Sequence, residues 1–536
     1  MKIIKIFLVA LCFATLISHI QASSIEVSGS VSGHWIVDTV KVMGDISIDF
    51  GQSLLIDPGV RVEFKGYFQL MVSGRVIAQG MPDAMIEFAR SDTTGFSDTL
   101  SNAGGWKGIF YEHLDPDTDS SLFSYCVFRY GKAWTTGDSI GLYGGAFRII
   151  EFDKISFSNC LFENNYANRW GGAIYARNAN IFIEACTFRH NRSGTLELPW
   201  GYGGAVCFVH SSPQVISTLF DHNTSTGIGG GASFEHSDPV VMYNIFQGNY
   251  SGLGGGIGYL RSESQNPCSN NLVYDNEARF FGGGIACIRS HTVFVNNTVT
   301  DNFSVYGGGF YCNDSACPSN YNCLFYNNYA AEGVEVYIWD IRSAPNFYFC
   351  NVPGDTSGFA GSGGHEGYHG EYWNNLDTVP EFSGSGSYPY QLLASSPMKD
   401  SGTPDTSSLG VPEKDLAGNT RIYNHRIDIG AYEWNPAPGI TEPLSACKKM
   451  LLYPNPAKGE ITIKFLLDSP SIAGFAVFTM EGRRIYESER KHYPAGWNEI
   501  HWEITTSLKG GISPGSYFLR LESEGYQTDE IFLLMK

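Results

Sequence analysis

Apolar positions in this chain do not form a sustained stripe of helical period. They come in short, partly alternating runs, such as Asn180-Ile-Phe-Ile-Glu-Ala-Cys-Thr-Phe188, separated by turn residues. Such alternation predicts half-buried strands. The runs also recur. The pattern x-x-Phe/Val-x-x-Asn appears at Phe162/Asn165, Phe188/Asn191, Phe220/Asn223, Phe246/Asn249, Val273/Asn276, Val299/Asn302 and Phe325/Asn328. Its Asn-to-Asn steps are 26, 32, 26, 27, 26 and 26, and Phe128 with Gly131 is a degenerate earlier copy. A second pattern keeps the same phase: Gly144-Gly-Ala146, Gly171-Gly-Ala173, Gly203-Gly-Ala205, Gly230-Gly-Ala232, Gly255-Gly-Ile257, Gly283-Gly-Ile285 and Gly308-Gly-Phe310. Two patterns locked to one period mark an internal repeat.

Three short strands with their turns fill about 26 residues, one coil of a right-handed parallel β-helix. Coils of such a solenoid stack at about 4.8 Å, so equivalent residues lie above one another. The Phe/Val column is then expected to face inward. Two residues earlier runs a column of Cys126, Cys160, Cys186, Thr218, Asn244, Asn271, Asn297 and Cys323. Its cysteines are expected to act as small hydrophobes, and its asparagines to bond amide to amide up the stack. The Asn165 column is placed at a turn, where Asn tolerates left-handed backbone. The Gly pairs are expected to supply positive φ or close backbone approach. Residues 30–350 would make roughly twelve coils.

The Gly-Gly-Ala/Ile and Phe-x-x-Asn pairing resembles the polymorphic outer-membrane protein repeats of bacterial surface adhesins. It is also similar to the wider superfamily of secreted bacterial right-handed parallel β-helix proteins. The resemblance covers about 120–340, and segments 54–62, 76–80 and 106–109 are similar to the superfamily's N-terminal coils. It implies an all-β solenoid over 23–350. Beyond 350 the period breaks. Pro380-Glu-Phe382, Ser396-Pro397, Asp400-Ser-Gly402, Asp415 to Arg421 and Asp428 to Glu433 resemble the segment that closes bacterial surface β-helices, here 351–434. Asp415, Arg421 and Asp428 then read as a structural network. A Pro-rich linker at 435–447 leads to a module at 448–536. Its short strands read as a small Ig-like β-sandwich. Tyr453-Pro454-Asn455-Pro456, Gly482, Gly515, Tyr517 and the terminal Lys536 resemble the type IX secretion sorting domain of Bacteroidota-like bacteria. That resemblance implies handling by the type IX secretion machinery, with surface attachment or release. The chain departs from the family at Asp529-Glu530, where a basic residue is usual.

Composition sharpens the picture. Hydrophobic residues make up 43% and charged residues 17%, which excludes wholesale disorder. The 62 glycines suit many tight turns. Lys2 and Lys5, the apolar run Ile6–Ile17 and the stretch to Ala22 form a signal-peptide pattern, 1–22, too short to span a bilayer. No later segment is long and apolar enough, so no transmembrane span is expected. The net charge of −19 becomes −21 once Lys2 and Lys5 are lost. That balance argues against nucleic acid or anionic lipid as partner. Eleven cysteines would remain, leaving at least one unpaired, and none follow metal-ligand spacing; Cys312, Cys317 and Cys323 come nearest. No cofactor is expected.

Candidate chemistry is sparse. His365-Glu366-x-x-His369 matches a zincin pattern, which needs both imidazoles on one helical face. The glycine-crowded stretch 361–370 reads instead as a loop. A lyase needs a base, yet no Lys occurs between Lys154 and Lys399, and Arg189, Arg261, Arg279 and Arg289 fall at scattered coil positions. Asp221, Asp275 and Asp301 lie near the Asn turn, and a glycosidase-like groove could use them. No catalytic residue is assigned. Trp170, Trp200, Tyr202, Phe280, Phe281 and Tyr306 precede the Gly pairs, as a vertical strip that either stacks sugars or packs between coils. The reading is an exported β-helix protein, surface-attached or released, that binds extracellular polysaccharide or a host or neighbour surface protein. A polysaccharide lyase or glycoside hydrolase is the alternative.

Overall fold

The computed structural model describes residues 23–435, except 136–139, 196–199, 265 and 387. It also describes 447–534, except 454–456, 458, 468–469, 480–482, 495, 505–514 and 524–525. The expected leader and most of the expected linker lie outside the described residues. The chain divides into two units. One runs to Val379 and includes Asp400–Ala431; the other joins Pro380–Lys399 to Tyr432 onward.

The first unit is a right-handed parallel β-helix. One of its sheets stacks thirteen strands, from Gly33–Trp35 to Tyr372–Trp373, so one rung follows residue 350. The long strand Thr39–Ile48 pairs through its first half with Arg61–Phe64 and through its second half with Gln69–Val72. From there the remaining large sheet runs up the solenoid as two ladders. A third, seven-stranded sheet of very short strands begins at Lys132–Ala133.

The register is what the 26-residue period requires. Phe162, Phe188, Phe220 and Phe246 are direct neighbours across adjacent strands. Their rings stack 4.5, 5.2 and 4.6 Å apart, nearly parallel, and all are fully buried. Each buried Phe contributes roughly 1.5–3 kcal/mol of apolar transfer.

The corners are held by side chains that accept the N–H of the coil before. Asn191 Oδ1 takes both the N–H and the Nδ2 of Asn165, at 3.0 Å each. The same bonds repeat through Asn223, Asn249, Asn276, Asn302 and Asn328. The left-handed residue is therefore not Asn165 but the one before it, and that column reads Asn164, His190, His222, Gly248, Asp275, Asp301 and Asn327. Asn165 itself is a buried ladder member. The Cys/Thr/Asn column does the same work at another corner. Cys160 N–H donates to Cys186 Sγ, Cys186 N–H to Thr218 Oγ1, and Thr218 N–H to Asn244 Oδ1. The expected amide ladder follows through Asn271 and Asn297. The cysteines are thus weak acceptors as well as small hydrophobes. A third ladder, of Ser211, Ser237, Ser262 and Ser290, has no counterpart among the sequence expectations.

The glycine column needs one correction. Ala205 lies under Gly231, not Ala232, because Val206 pairs with Ala232. The doublet in the later coils is therefore Gly229-Gly230, Gly254-Gly255, Gly282-Gly283 and Gly307-Gly308, one residue earlier than the Gly-Gly-x reading put it. The first Gly of each doublet has φ between 60° and 70°. The second is required by space. A Cβ on Gly230 would lie 2.2 Å from the carbonyl oxygen of Gly255, and the same clash recurs up to Gly308, where it meets Val334 O at 2.5 Å. Val334 itself ends the column and is exposed.

Phe359, Tyr368 and Tyr372 pack against the end of the solenoid core. The His365-Glu366-x-x-His369 stretch lies here, on the three-residue turn His365–Gly367, which has no face long enough to pair two imidazoles. Segment 400–431 runs along the flank of earlier coils instead. Tyr243 Oη and Asn270 Nδ2 donate to Lys414 O, Asn296 Nδ2 donates to Asp428 O, and Gly430 N–H donates to Asn322 O. Asp415 ties its own turn through the N–H groups of Ala417 and Asn419, and buried Arg421 donates to the carbonyls of Asp428 and Gly430.

The strands of the C-terminal module pair antiparallel, with one parallel bridge between Ala457 and Leu534. Cys447–Tyr453, Glu460–Leu467 and Gly496–Glu503 form one sheet; a five-stranded sheet is built on Ser471–Thr479 and Gly515–Ser523. Ile461, Ile463, Phe465, Phe475, Val477, Leu519 and Leu521 alternate inward to make its core.

Candidate binding face

The third sheet carries the feature of most interest. Its strands start directly after the ladder asparagines, so the residue following each Asn points outward. That column reads Tyr166, Arg192, Thr224, Tyr250, Glu277, Phe303 and Tyr329. Its later members are bare: Tyr250 is 36% exposed, Phe303 52% and Tyr329 62%. Phe280 and Val305 are exposed on the same strands. The Arg279 guanidinium lies 5.0 Å from the Phe280 ring centroid. In the coils before these, Tyr166 is buried, and Arg192 and Thr224 are polar. Tyr250, Phe303 and Tyr329 escape a search for aromatics before Gly pairs; the position after the ladder Asn finds them.

The six residues singled out from sequence fall in three places. Trp170, Tyr202, Phe281 and Tyr306 share one bridged column, interrupted by Ile228 and Leu253. They form two separate stacks. Trp170 lies between Tyr143 and Tyr202, each 5.1 Å away, against Tyr175 and Cys207. Phe281 stacks on Tyr306 and Tyr311 at 5.2 and 4.7 Å. These rings cover one another's faces and remain partly buried. Burial pushes the phenols of Tyr175, Tyr202 and Tyr311 up, so all three stay neutral. Trp200 and Phe280 stand outside the column and are exposed; Trp200 accepts the Trp170 indole N–H on its carbonyl at 3.0 Å.

Several charged groups elsewhere on the coils are engaged with charged or amide partners. Glu163 receives Arg129 at 2.7 Å and Arg189 at 2.5 Å. Asp221 is bonded by His222 and by Gln247, and Asp301 by Asn327. Arg261 pairs with Glu235 and Arg289 with Asp314. Imidazole, guanidinium and carboxylate meet at one open depression of about 520 Å³ lined by His210, His236, Asp238, Arg261 and Glu263. There the two imidazoles stack 4.8 Å apart, and Asp238 Oδ1 accepts Ser264 Oγ and Asn266 N–H. No group of three or more metal-ligating side chains occurs among the described residues, and no described helix is long and apolar enough to cross a membrane.

Residues 117–290 match the family described as right handed beta helix region, and residues 451–534 the secretion system C-terminal sorting domain. The chain carries a β-helix and a type IX sorting domain. That tail marks the protein for secretion, with surface attachment or release. In the tail, Gly515 opens a strand and Tyr517 is buried in the core, while Tyr453 ends the first strand. Pro454, Asn455, Pro456, Gly482 and Lys536 lie outside the described residues. Among solved structures, the periplasmic alginate epimerase AlgG is similar at 11% identity and a TM-score of 0.32, over 64% of this chain and 76% of that one. No curated protein matches the chain.

Proposed function

We propose that this secreted protein binds an extracellular polysaccharide on the third face of its β-helix, as an adhesin-like recognition protein. The observation that carries the reading is the exposed group Tyr250, Phe280, Phe303, Val305 and Tyr329, which follows the polar outward positions Arg192 and Thr224 on the same sheet. Phe303 and Tyr329 are direct neighbours on adjacent coils, and clustered exposed apolar side chains mark an interaction surface. Aromatic rings suit the apolar faces of sugars. Exposed Glu277 and Glu332 border the rings, and Asp275 and Asp301 occupy the adjoining turn. These four carboxylates outweigh the Arg279 guanidinium on Phe280, so a polyuronate would meet net like charge there and the ligand class is an uncharged glycan.

The depression at His210 and His236 favours a second reading, a polysaccharide-modifying enzyme. The binding reading is preferred because Arg261 and Asp238 are already engaged there. A glycan array on the exported protein, run beside reducing-sugar and unsaturated-uronate release assays, separates the two. Binding of uncharged glycans, weakened about tenfold or more by Phe303→Ala with Tyr329→Ala, is the expected result. Turnover of any polysaccharide would overturn it.

A further inference from the structure

Ser23 directly precedes the first strand, Ser24–Ser30, almost all of whose residues are exposed. A reciprocal clasp holds Ser23 to Asp38. Its N–H donates to Asp38 Oδ2 at 2.5 Å, and its hydroxyl donates to the same oxygen at 3.2 Å. In return, the Asp38 N–H donates to Ser23 Oγ at 3.2 Å, and the Thr39 N–H to Ser23 O at 3.1 Å. The neighbouring Arg61 guanidinium lies on Glu87 instead. The Asp38 carboxylate therefore has a neutral peptide N–H where it could hold a charge.

We propose that processing cuts between Ala22 and Ser23 and that Asp38 is the receptor for the new N-terminus. Water adds across the Ala22–Ser23 peptide bond. Its oxygen leaves with the Ala22 carboxylate, and the Ser23 nitrogen, gaining protons, becomes an ammonium. The donor at Asp38 Oδ2 changes from neutral to charged without moving, and charge-assisted hydrogen bonds are the stronger kind. A cut one residue later would remove the clasp; a cut one residue earlier would carry the charge past it. The inference rests on the leader reading of residues 1–22 and is independent of the glycan face. It makes maturation the step that secures the first coil, whose first strand pairs, among the described residues, only with Thr39–Ile48.

Two measurements test it. Mass spectrometry of the exported chain should find Ser23 as the N-terminal residue. Hydrogen exchange at the Ile25–Val27 amides is then compared in the mature protein, its N-acetylated form, Asp38→Asn, and both together. Acetylation keeps an N–H and removes the charge. Acetylation and Asp38→Asn are each expected to speed exchange about two- to fivefold, with no further gain when combined. A different N-terminal residue, no response to acetylation, or effects that simply multiply would each overturn the proposal. Should Asp38→Asn fail to fold, the acetylated protein still decides the matter.

Discussion

Glu335 stands where the coils below hold Ala205, Gly231, Gly256, Gly284 and Gly309. It is buried, and its Oε2 accepts Asn328 Nδ2 at 2.5 Å, with the Asn328 N–H bonding the same carboxyl. These are the donors that the next ladder Asn would satisfy, so Glu335 substitutes for the missing amide oxygen and terminates the ladder. Burial pushes its carboxyl up to about 7, against the pull of the Asn328 bonds. The folded state then holds a proton that the unfolded chain releases near 4.5. Stability from this group is full below about 4.5 and is lost as pH rises through about 7, an effect of order 3 kcal/mol. Glu335→Gln keeps the acceptor and removes the titration. Thermal melts should show it flattening the decline between pH 5 and 8 and melting a few degrees above the parent at pH 8. Inside the ladder, Asn249→Ala strips the acceptor from both the N–H and the Nδ2 of Asn223. Urea titration should register a loss of about 1–3 kcal/mol.

Among the elements, the glycine doublets set how closely coils can stack. Gly230→Ala drives a methyl onto the carbonyl of Gly255 and onto the Tyr250 backbone, so neither neighbour can yield by rotating a side chain. A loss of about 1–3 kcal/mol or more is expected in denaturant unfolding. Val334→Gly, at the exposed end of the same column, should change stability by less than about 1 kcal/mol. The period that predicts these doublets was legible because stacked coils repeat both a buried ring and a space restriction. Their register was not, because the later coils carry three glycines in a row and only the strand pairing of Val206 with Ala232 shows which two are equivalent. The candidate binding face was half legible for a similar reason. Trp170 and Phe281 were visible as aromatics before glycines, but whether a ring stacks on its neighbour or faces water depends on the adjoining coils. Glu335 could not be read in advance, since its role follows from the absence of a further Asn above Asn328.

At the scale of the whole molecule, the ten cysteines from Cys126 to Cys350 are all free, and all are buried except the half-buried Cys317. Neighbours such as Cys287 and Cys312 lie in register on adjacent strands. Burial pushes both thiols well above their ordinary range, so thiolate, the reactive form, is scarce in the folded protein. That is how a secreted chain can keep thiols beside one another in an oxidising environment. It also makes each thiol a reporter of local opening. In a solenoid each coil contacts only its neighbours, so stability is a sum of coil and interface contributions and fraying starts at the ends. Segment 400–431 adds bonds across the coils of Tyr243, Asn270, Asn296 and Asn322, and so braces the region around Cys268 and Cys323. Cys350 lies one rung from the end of the stack. Pulse alkylation in urea below the unfolding midpoint should therefore label Cys317 first, as the half-buried thiol, then Cys350, with Cys186, Cys207 and Cys268 later. Uniform labelling of all buried cysteines would mean that the solenoid opens as a single cooperative unit, and that the lateral brace couples coils the stacking alone leaves independent.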